Sequence, residues 1–497
     1  MKRTITLLLA VLIGSQLIAQ TKKTVSDLPP ALSAIKDADL KKDIFELASD
    51  AMRGRRAGTL DEMRAAAWVA QKAQEAGLKP AGDDGTFFQF YNIHRTRTAN
   101  RGTFAINNQP LTLWKQVWPT QAVDTHLDAP VIWLKSLADT AADLKGKIVA
   151  MNIIAPSTLP AKGMSLWGYR YTASAIRQYS TLLRRKGVSA VIFVADDVAQ
   201  GAIAFIGHNY ESGLYQVDGI TAANTNTRAR GAGGAAIPVI LVEQSFGQAL
   251  QQPNATVKAE FQLETFLYPS VNVVGKATGT DPKLKSEYVL FSGHHDHDGV
   301  GNPVDKDSIW NGADDNASVT VGMLAIARAW SAKPGKRSAL FVWHGAEERG
   351  LLGSRWYAAH PTVPKESIVA VLNGDMIGRN SIDSAGLLGT LTPHKNSTQL
   401  VDAAMKANSE LIKFKVDFSW DDPKQPEGWY FRSDHLPYAQ AGIPAIFFTS
   451  LLHPDYHTPK DEADRIDIAK LAKMTKWMYT TGWIVSQTPT RPALDPK

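Results

Sequence analysis

The residue types with the most chemistry to offer lie between Phe291 and Gly353. Three runs stand there: Ser292-Gly293-His294-His295-Asp296-His297, Gly312-Ala313-Asp314-Asp315-Asn316, and Trp343-His344-Gly345-Ala346-Glu347-Glu348. Imidazoles and carboxylates at this density, in a chain with no cysteine, suit a divalent metal such as zinc better than any redox centre. A hydrolytic metal pair needs about five nitrogen and oxygen ligands, an anion bridging ions roughly 3.5 to 4 Å apart, and room for a water. His294 meets the first need, and Asp296, two residues on, is placed to hold the far nitrogen of its ring. Asp315, in a tight turn, is the candidate bridge. Adjacent Glu347 and Glu348 repel each other and both stay ionised only beside positive charge. One can bind metal while the other takes a proton from water and hands it to a leaving amine. The competing reading makes them the acidic first turn of a helix running through Leu351 to Ala358.

These side chains need a scaffold that brings them together. From Ser270 onward, strand-like runs alternate with helical ones: Glu287 to Ser292 leads to His294, Ala339 to Trp343 to Glu347, and Ser367 to Leu372 to Asp375, while Ala445 to Thr449 precedes the segment holding His457. Residues 317–330 and 464–485 carry helical periodicity. That alternation predicts an α/β fold, a mostly parallel mixed sheet flanked by helices, with the ligand candidates beyond the carboxyl ends of its strands. Upstream, Leu40 to Leu47 and a segment after Thr59, with Glu62 as its capping-box partner and Met63, Ala66, Ala67, Ala70 and Ala73 as its apolar face, predict two helices closed by Gly77. Between them and the sheet the texture changes. Ala129 to Leu134, Lys147 to Ile154, Val188 to Ala195 and Ile237 to Val242 are short β-branched runs, separated by turns such as Gly231 to Gly234 and by one helix-like stretch, Thr172 to Lys186. None ends in ligand-type residues, so a smaller β-rich α/β domain inserted at 118–265 is expected, between an N-terminal part at 20–117 and the main part at 266–497.

Composition sets the outer bounds. With 497 residues, 44% hydrophobic and 21% charged, the chain reads as a globular protein of two or three domains. Its net charge of +6 is spread without a dense basic run, so no nucleic-acid partner is expected. Met1-Lys2-Arg3, the apolar stretch Ile5 to Ile13 and Leu17-Ile18-Ala19 have the make-up of a signal peptide cleaved after Ala19. The apolar stretch is too short to span a bilayer, so the expectation is an exported protein, periplasmic or extracellular, with no stable membrane insertion and no disulfides.

Six motifs, taken in order, carry a resemblance: His294-x-Asp296; Gly312-Ala313-x-Asp315-Asn316-Ala317-Ser318; Gly345-Ala346-Glu347-Glu348-x-Gly350-Leu351-Leu352-Gly353-Ser354; Asn373-Gly374-Asp375-Met376-Ile377-Gly378; Ser433-Asp434-His435; and Tyr456-His457-Thr458. Together they resemble the co-catalytic di-zinc aminopeptidase family, which also holds glutamate carboxypeptidases, glutaminyl cyclases and the transferrin receptor. The 118–265 segment, through Asp143-Leu144-Lys145-Gly146-Lys147 and Ile237-Pro238-Val239, resembles a protease-associated domain. The resemblance implies two Zn2+ per chain, one held by His294 and Asp375, the other by Glu348 and His457, with Asp315 bridging and Glu347 as general base. It also implies a cis peptide between Asp315 and Asn316, Tyr456 polarising the scissile carbonyl, and Arg432 helping to position substrate. Peptides are the implied substrates and removal of N-terminal residues the implied reaction. The same ligand set serves glutamate-releasing carboxypeptidases, and a binding protein on a dead scaffold is the reading from another class. His295, His297, His453 and Asp455 flank the expected ligands and leave a shift of assignment open. Val319 departs from the pattern, standing where a glycine commonly closes the turn.

Overall fold

A computed structural model describes residues 29–137, 143–160, 165–220 and 237–496. The expected leader, 1–19, and the Gly231 to Gly234 turn lie outside those residues. Two helices open the described chain, α1 (Asp37–Leu47) and α2 (Leu60–Glu75). Thr59 caps α2, its hydroxyl accepting from the Asp61 and Glu62 amides. Glu62 does not close a reciprocal box onto Thr59. Its carboxylate accepts instead from the Gly58 amide at 2.6 Å and from the Ser270 hydroxyl at 2.6 Å, and so ties the helix start to the sheet. The buried stripe of α2 is Ala65, Ala66, Val69, Ala70 and Ala73. Ala67, expected on that stripe, is exposed.

The main sheet takes strands from distant parts of the chain: β1 (Phe88–Thr98), β2 (Leu214–Val217), β3 (Leu263–Ala277), β4 (Tyr288–His294), β5 (Ser338–His344), β6 (Ile368–Gly374), β7 (Ser384–Leu388), β8 (Lys415–Asp417) and β9 (Ala445–Thr449). Their order across the sheet is β8-β7-β9-β6-β4-β5-β3-β1-β2, and Lys79–Pro80 adds a short edge on β3. Strands β9, β6, β4 and β5 run parallel; the flanking pairs of β7 with β9, β3 with β5, and β1 with β3 and β2 run antiparallel. Parallel strands need crossovers and are covered on both faces, which is why β5 and β6 are buried along their whole length. Alternate residues point to opposite faces. Val289 and Phe291 of β4 join the core under α1, α2, the helix α3 (Val319–Ala332) and the helix α4 (Ile468–Gln487), whereas Leu290 joins a second core with Tyr357 and Tyr438.

The excursion between β1 and β3 builds the second sheet, in the order 109–111, 103–106, 256–261, 125–133, 148–152, 190–194, 239–242, 117–119. It therefore begins earlier than the expected boundary at 118, since Thr103–Ile106 and Gln109–Leu111 already belong to it. The reason is a ladder: β1 pairs with β3 from Phe88↔Val273 to Thr98↔Leu263, and that antiparallel pair closes the base of everything from 99 to 262. One segment returns. Strand β2 leaves the excursion and pairs with β1 through Ile93 to Thr96. The excursion also carries the helices 167–185 and 203–212. From the second of these, His208 stacks on Trp310 with ring centroids 4.3 Å apart, beside the hairpin 299–310 that follows β4.

Candidate metal centre

The ligand candidates emerge together because the parallel strands end at one edge. His294 is the last residue of β4, Asp375 follows β6 directly, and Glu347 comes three residues beyond β5. The helix after Glu347-Glu348 starts only at Leu352, so the pair sits in a loop and is not a helix's acidic first turn. Backbone at positive φ, Ala346 at 52° and Leu351 at 59°, turns that loop back over the sheet.

The side chains converge in two groups. In one, ligand atoms of His294, Glu347 and Asp375 lie within 4.8 Å of one another; in the other, so do those of His297, Asp315, Glu348 and His457. Asp315 joins them. Its Oδ1 stands 3.3 Å from His294 Nε2 and its Oδ2 3.1 Å from His457 Nε2, so one carboxylate presents an oxygen to each group. His457 Nε2 is also 3.2 Å from Glu348 Oε2, and Asp375 Oδ2 is 3.7 Å from His294 Nε2. The Asp315–Asn316 peptide is cis. Gly312, at φ 57°, has no room for a side chain: a Cβ there would stand 2.3 Å from the His297 ring.

Around this sits a shell of orienting contacts. Asp296 faces His294, but its carbonyl takes the Nδ1 contact at 3.2 Å while its carboxylate lies 3.6 Å away and accepts from the Glu347 amide at 3.0 Å. Several partners were not legible as isolated letters. Asp298 Oδ2 is 3.2 Å from His457 Nδ1, and its Oδ1 accepts from Arg349 at 2.8 Å, the arrangement that fixes a ligating histidine. Asp461 accepts from the amides of Asp314 and Asp315, each at 3.0 Å. Arg55, fully buried, donates to the carbonyls of Leu47, His295, Asn311 and Gly312. Of the open alternatives, His297 holds Glu348 Oε1 through Nδ1 at 2.8 Å. His295 turns away to the Val271 carbonyl, His453 meets Asp314, and Asp455 pairs with Arg379.

The electrostatics ask for a cation. Burial alone would raise Asp315, yet His294 and His457 hold it well below the usual carboxylate range. Burial likewise opposes the charge of Glu348, but His457 and His297 bring it down to about 2. Burial would push His294 and His457 down, and the carboxylates around them push both well up. Left to themselves these imidazoles hold protons, which a divalent metal would displace. Buried His294 Nε2 and His297 Nε2 have no hydrogen-bond partner. His294 Nε2, with carboxylate oxygens of Asp315, Glu347 and Asp375 at 3.3 to 3.7 Å, fits zinc by donor type and by charge. Glu347 differs from Glu348. Burial pushes it well up, and Glu348 and Asp375 add to the push against His294. At the rim, Tyr456 Oη accepts from Arg432 Nη2 at 2.8 Å, and burial moves the phenol up to about 12 against the pull of Arg432.

With that geometry in place, the comparisons define a class. Residues 272–481 match the profile of Peptidase family M28, which fits the resemblance to the co-catalytic zinc aminopeptidases. The relatives are more particular. Over 244 residues the chain is 31% identical to "Aminopeptidase YwaD" of Bacillus subtilis (strain 168), covering 47% of this chain and 48% of that protein. The chain spans about half the length of the curated relatives it matches. By fold it is similar to BSAP, a zinc aminopeptidase from Bacillus subtilis, with TM-score 0.58 and 20% identity over 91% of this chain and 96% of that one. A second solved structure, an aminopeptidase from Aneurinibacillus sp. strain AM-1, gives TM-score 0.57 at 19% identity over 94% and 98% of the two chains. Both likenesses are of fold.

Proposed function

We propose that the protein is an exported di-zinc aminopeptidase that removes N-terminal residues from peptides. The observation that carries the reading is Asp315, which presents one carboxylate oxygen to His294 and the other to His457. His294 and Asp375 would hold one ion and Glu348 and His457 the other, with Asp315 shared. Zinc, when bound, supplies a water that loses its proton near neutral pH and a Lewis acid for the scissile carbonyl. The chain's own residues do the rest. Glu347, buried and raised, accepts the water's proton and delivers it to the departing amine. Tyr456, whose oxygen already accepts from Arg432, keeps its proton at neutral pH and donates it to the carbonyl oxygen as negative charge builds there. Arg432 is therefore read as the group that aims Tyr456, more than as a direct substrate contact. The excursion over 99–262 is read as a protease-associated type of domain. Among the described residues no helix is long and apolar enough to cross a membrane.

The test is a substrate panel. Zinc-loaded protein should release the first residue from peptides and aminoacyl arylamides bearing a free α-amine, and a chelator should stop it. N-blocked peptides should survive. Release of a C-terminal residue from N-blocked peptides would identify a carboxypeptidase instead, and no turnover by folded, zinc-loaded protein would leave a binding protein.

A further inference from the structure

A cavity of about 1030 Å3 opens beside the metal centre, and the excursion forms one wall of it. Arg170 and Arg177, on the helix 167–185, stand on that side; Glu427, Arg432, Tyr456 and His457 stand opposite. His457 is the most open residue of the metal centre, its side chain 21% exposed. A pocket of this size takes ligands on the scale of about two or three amino-acid residues.

The charge in the cavity is unbalanced. Glu427 serves two guanidiniums at once, pairing with Arg170 across the cleft and with Arg432 at 3.1 Å. Arg177 lies about two turns further along the same helix face, with an exposed side chain and no ion pair among the described residues. Tyr169, half-buried, lines the same cavity as Arg170, Arg177 and His457, so the arginines and the metal centre share one space. A peptide's α-ammonium is drawn to the carboxylates of the centre and repelled by this wall. The part of the peptide beyond the scissile bond therefore has the cavity to itself.

We propose that this cavity binds the downstream portion of short peptides and that Arg177, with Arg170 beside it, receives their C-terminal carboxylate. The inserted excursion then selects short, carboxylate-bearing peptides. This inference rests on the aminopeptidase reading, and its test separates the two.

The zinc-loaded enzyme and its Arg177→Ala and Arg177→Lys variants are compared on di-, tri- and tetrapeptides sharing one N-terminal residue, each as the free acid and as the C-terminal amide. The aminoacyl arylamide of the same residue, which has nothing to place in the cavity, is the control. We expect the wild type to favour the acid over the amide by about tenfold in kcat/KM at one of these lengths, on the scale of a single charged contact. Arg177→Ala should erase that preference through KM, Arg177→Lys should keep part of it, and the arylamide should be cleaved alike by all three. Equal cleavage of acids and amides by the wild type at every length would overturn the proposal, as would an Arg177→Ala loss shared by acids and amides. Failure of the arylamide reaction in the wild type would overturn the aminopeptidase reading itself.

Discussion

Glu347 and Glu348 are neighbours in the chain, and their carboxylates sit in different surroundings. Glu348 is held by His297 at 2.8 Å and lies 3.2 Å from His457, whereas the imidazole facing Glu347 is His294 at 3.7 Å. The first arrangement favours the ionised form and a metal; the second leaves a carboxylate free to gain and lose a proton. Glu347→Gln should keep its zinc, measured by elemental analysis of dialysed protein, and lose about 10²- to 10⁴-fold in kcat. Glu348→Gln should lose zinc along with activity. If the two variants behaved alike in metal content, the division of labour would be wrong. The residue types at this site were readable because four candidates cluster within sixty-odd letters. Asp298 and Asp461 were not, because a lone acid in a loop looks the same whether it orients a histidine or faces water.

At the scale of elements, the turn that carries Asp315 is packed against two strand ends through one side chain. Val319 opens α3 where a glycine is common in the related pattern, and it fits because glycines stand opposite. A Cβ on Gly293 would meet Val319 Cγ1 at 2.6 Å, and one on Gly374 would meet it at 2.9 Å. Gly293→Ala should therefore destabilise the protein by about 1 to 3 kcal/mol, read by denaturant unfolding in the presence of a chelator. Adding Val319→Ala should recover part of the loss, so that the two changes are not additive. Additive effects would mean that the strand end adjusts independently of the turn. Strand and helix positions followed from periodicity, as with Ala445–Thr449, since alternation and 3.6-residue spacing are local properties. The extent of the excursion did not. Residues 103–111 look like any polar β segment until the β1–β3 ladder shows which sheet they leave.

For the whole molecule, Arg55 is the tie between the N-terminal helices and the site. Its guanidinium reaches the carbonyl of Leu47, the last residue of α1, and those of His295, Asn311 and Gly312 beside the metal-centre loops, at 2.6 to 3.0 Å. Burial brings it down only to about 10, so it is charged at neutral pH and its carbonyl partners stay satisfied. Arg55→Met should cost about 3 kcal/mol or more and weaken zinc binding, because the loops bearing His294 and Asp315 lose a common anchor. Arg55→Lys should not restore either property, since an ammonium cannot span the same fork of acceptors. Unchanged zinc affinity in both variants would confine Arg55 to a packing role.

Taken alone, the sequence determined the chemistry available and the local form that presents it: imidazoles and carboxylates without thiols, placed just past short buried strands. Those features depend on neighbours within a few residues, and a chain of letters retains them. Tertiary structure decided which oxygen of Asp315 faces which histidine, which histidines stand beside each of two adjacent glutamates, and that Arg177 shares a cavity with His457. Each of those facts is a contact between residues that the chain separates by tens to hundreds of positions, and only the closed sheet and its excursion bring them within reach.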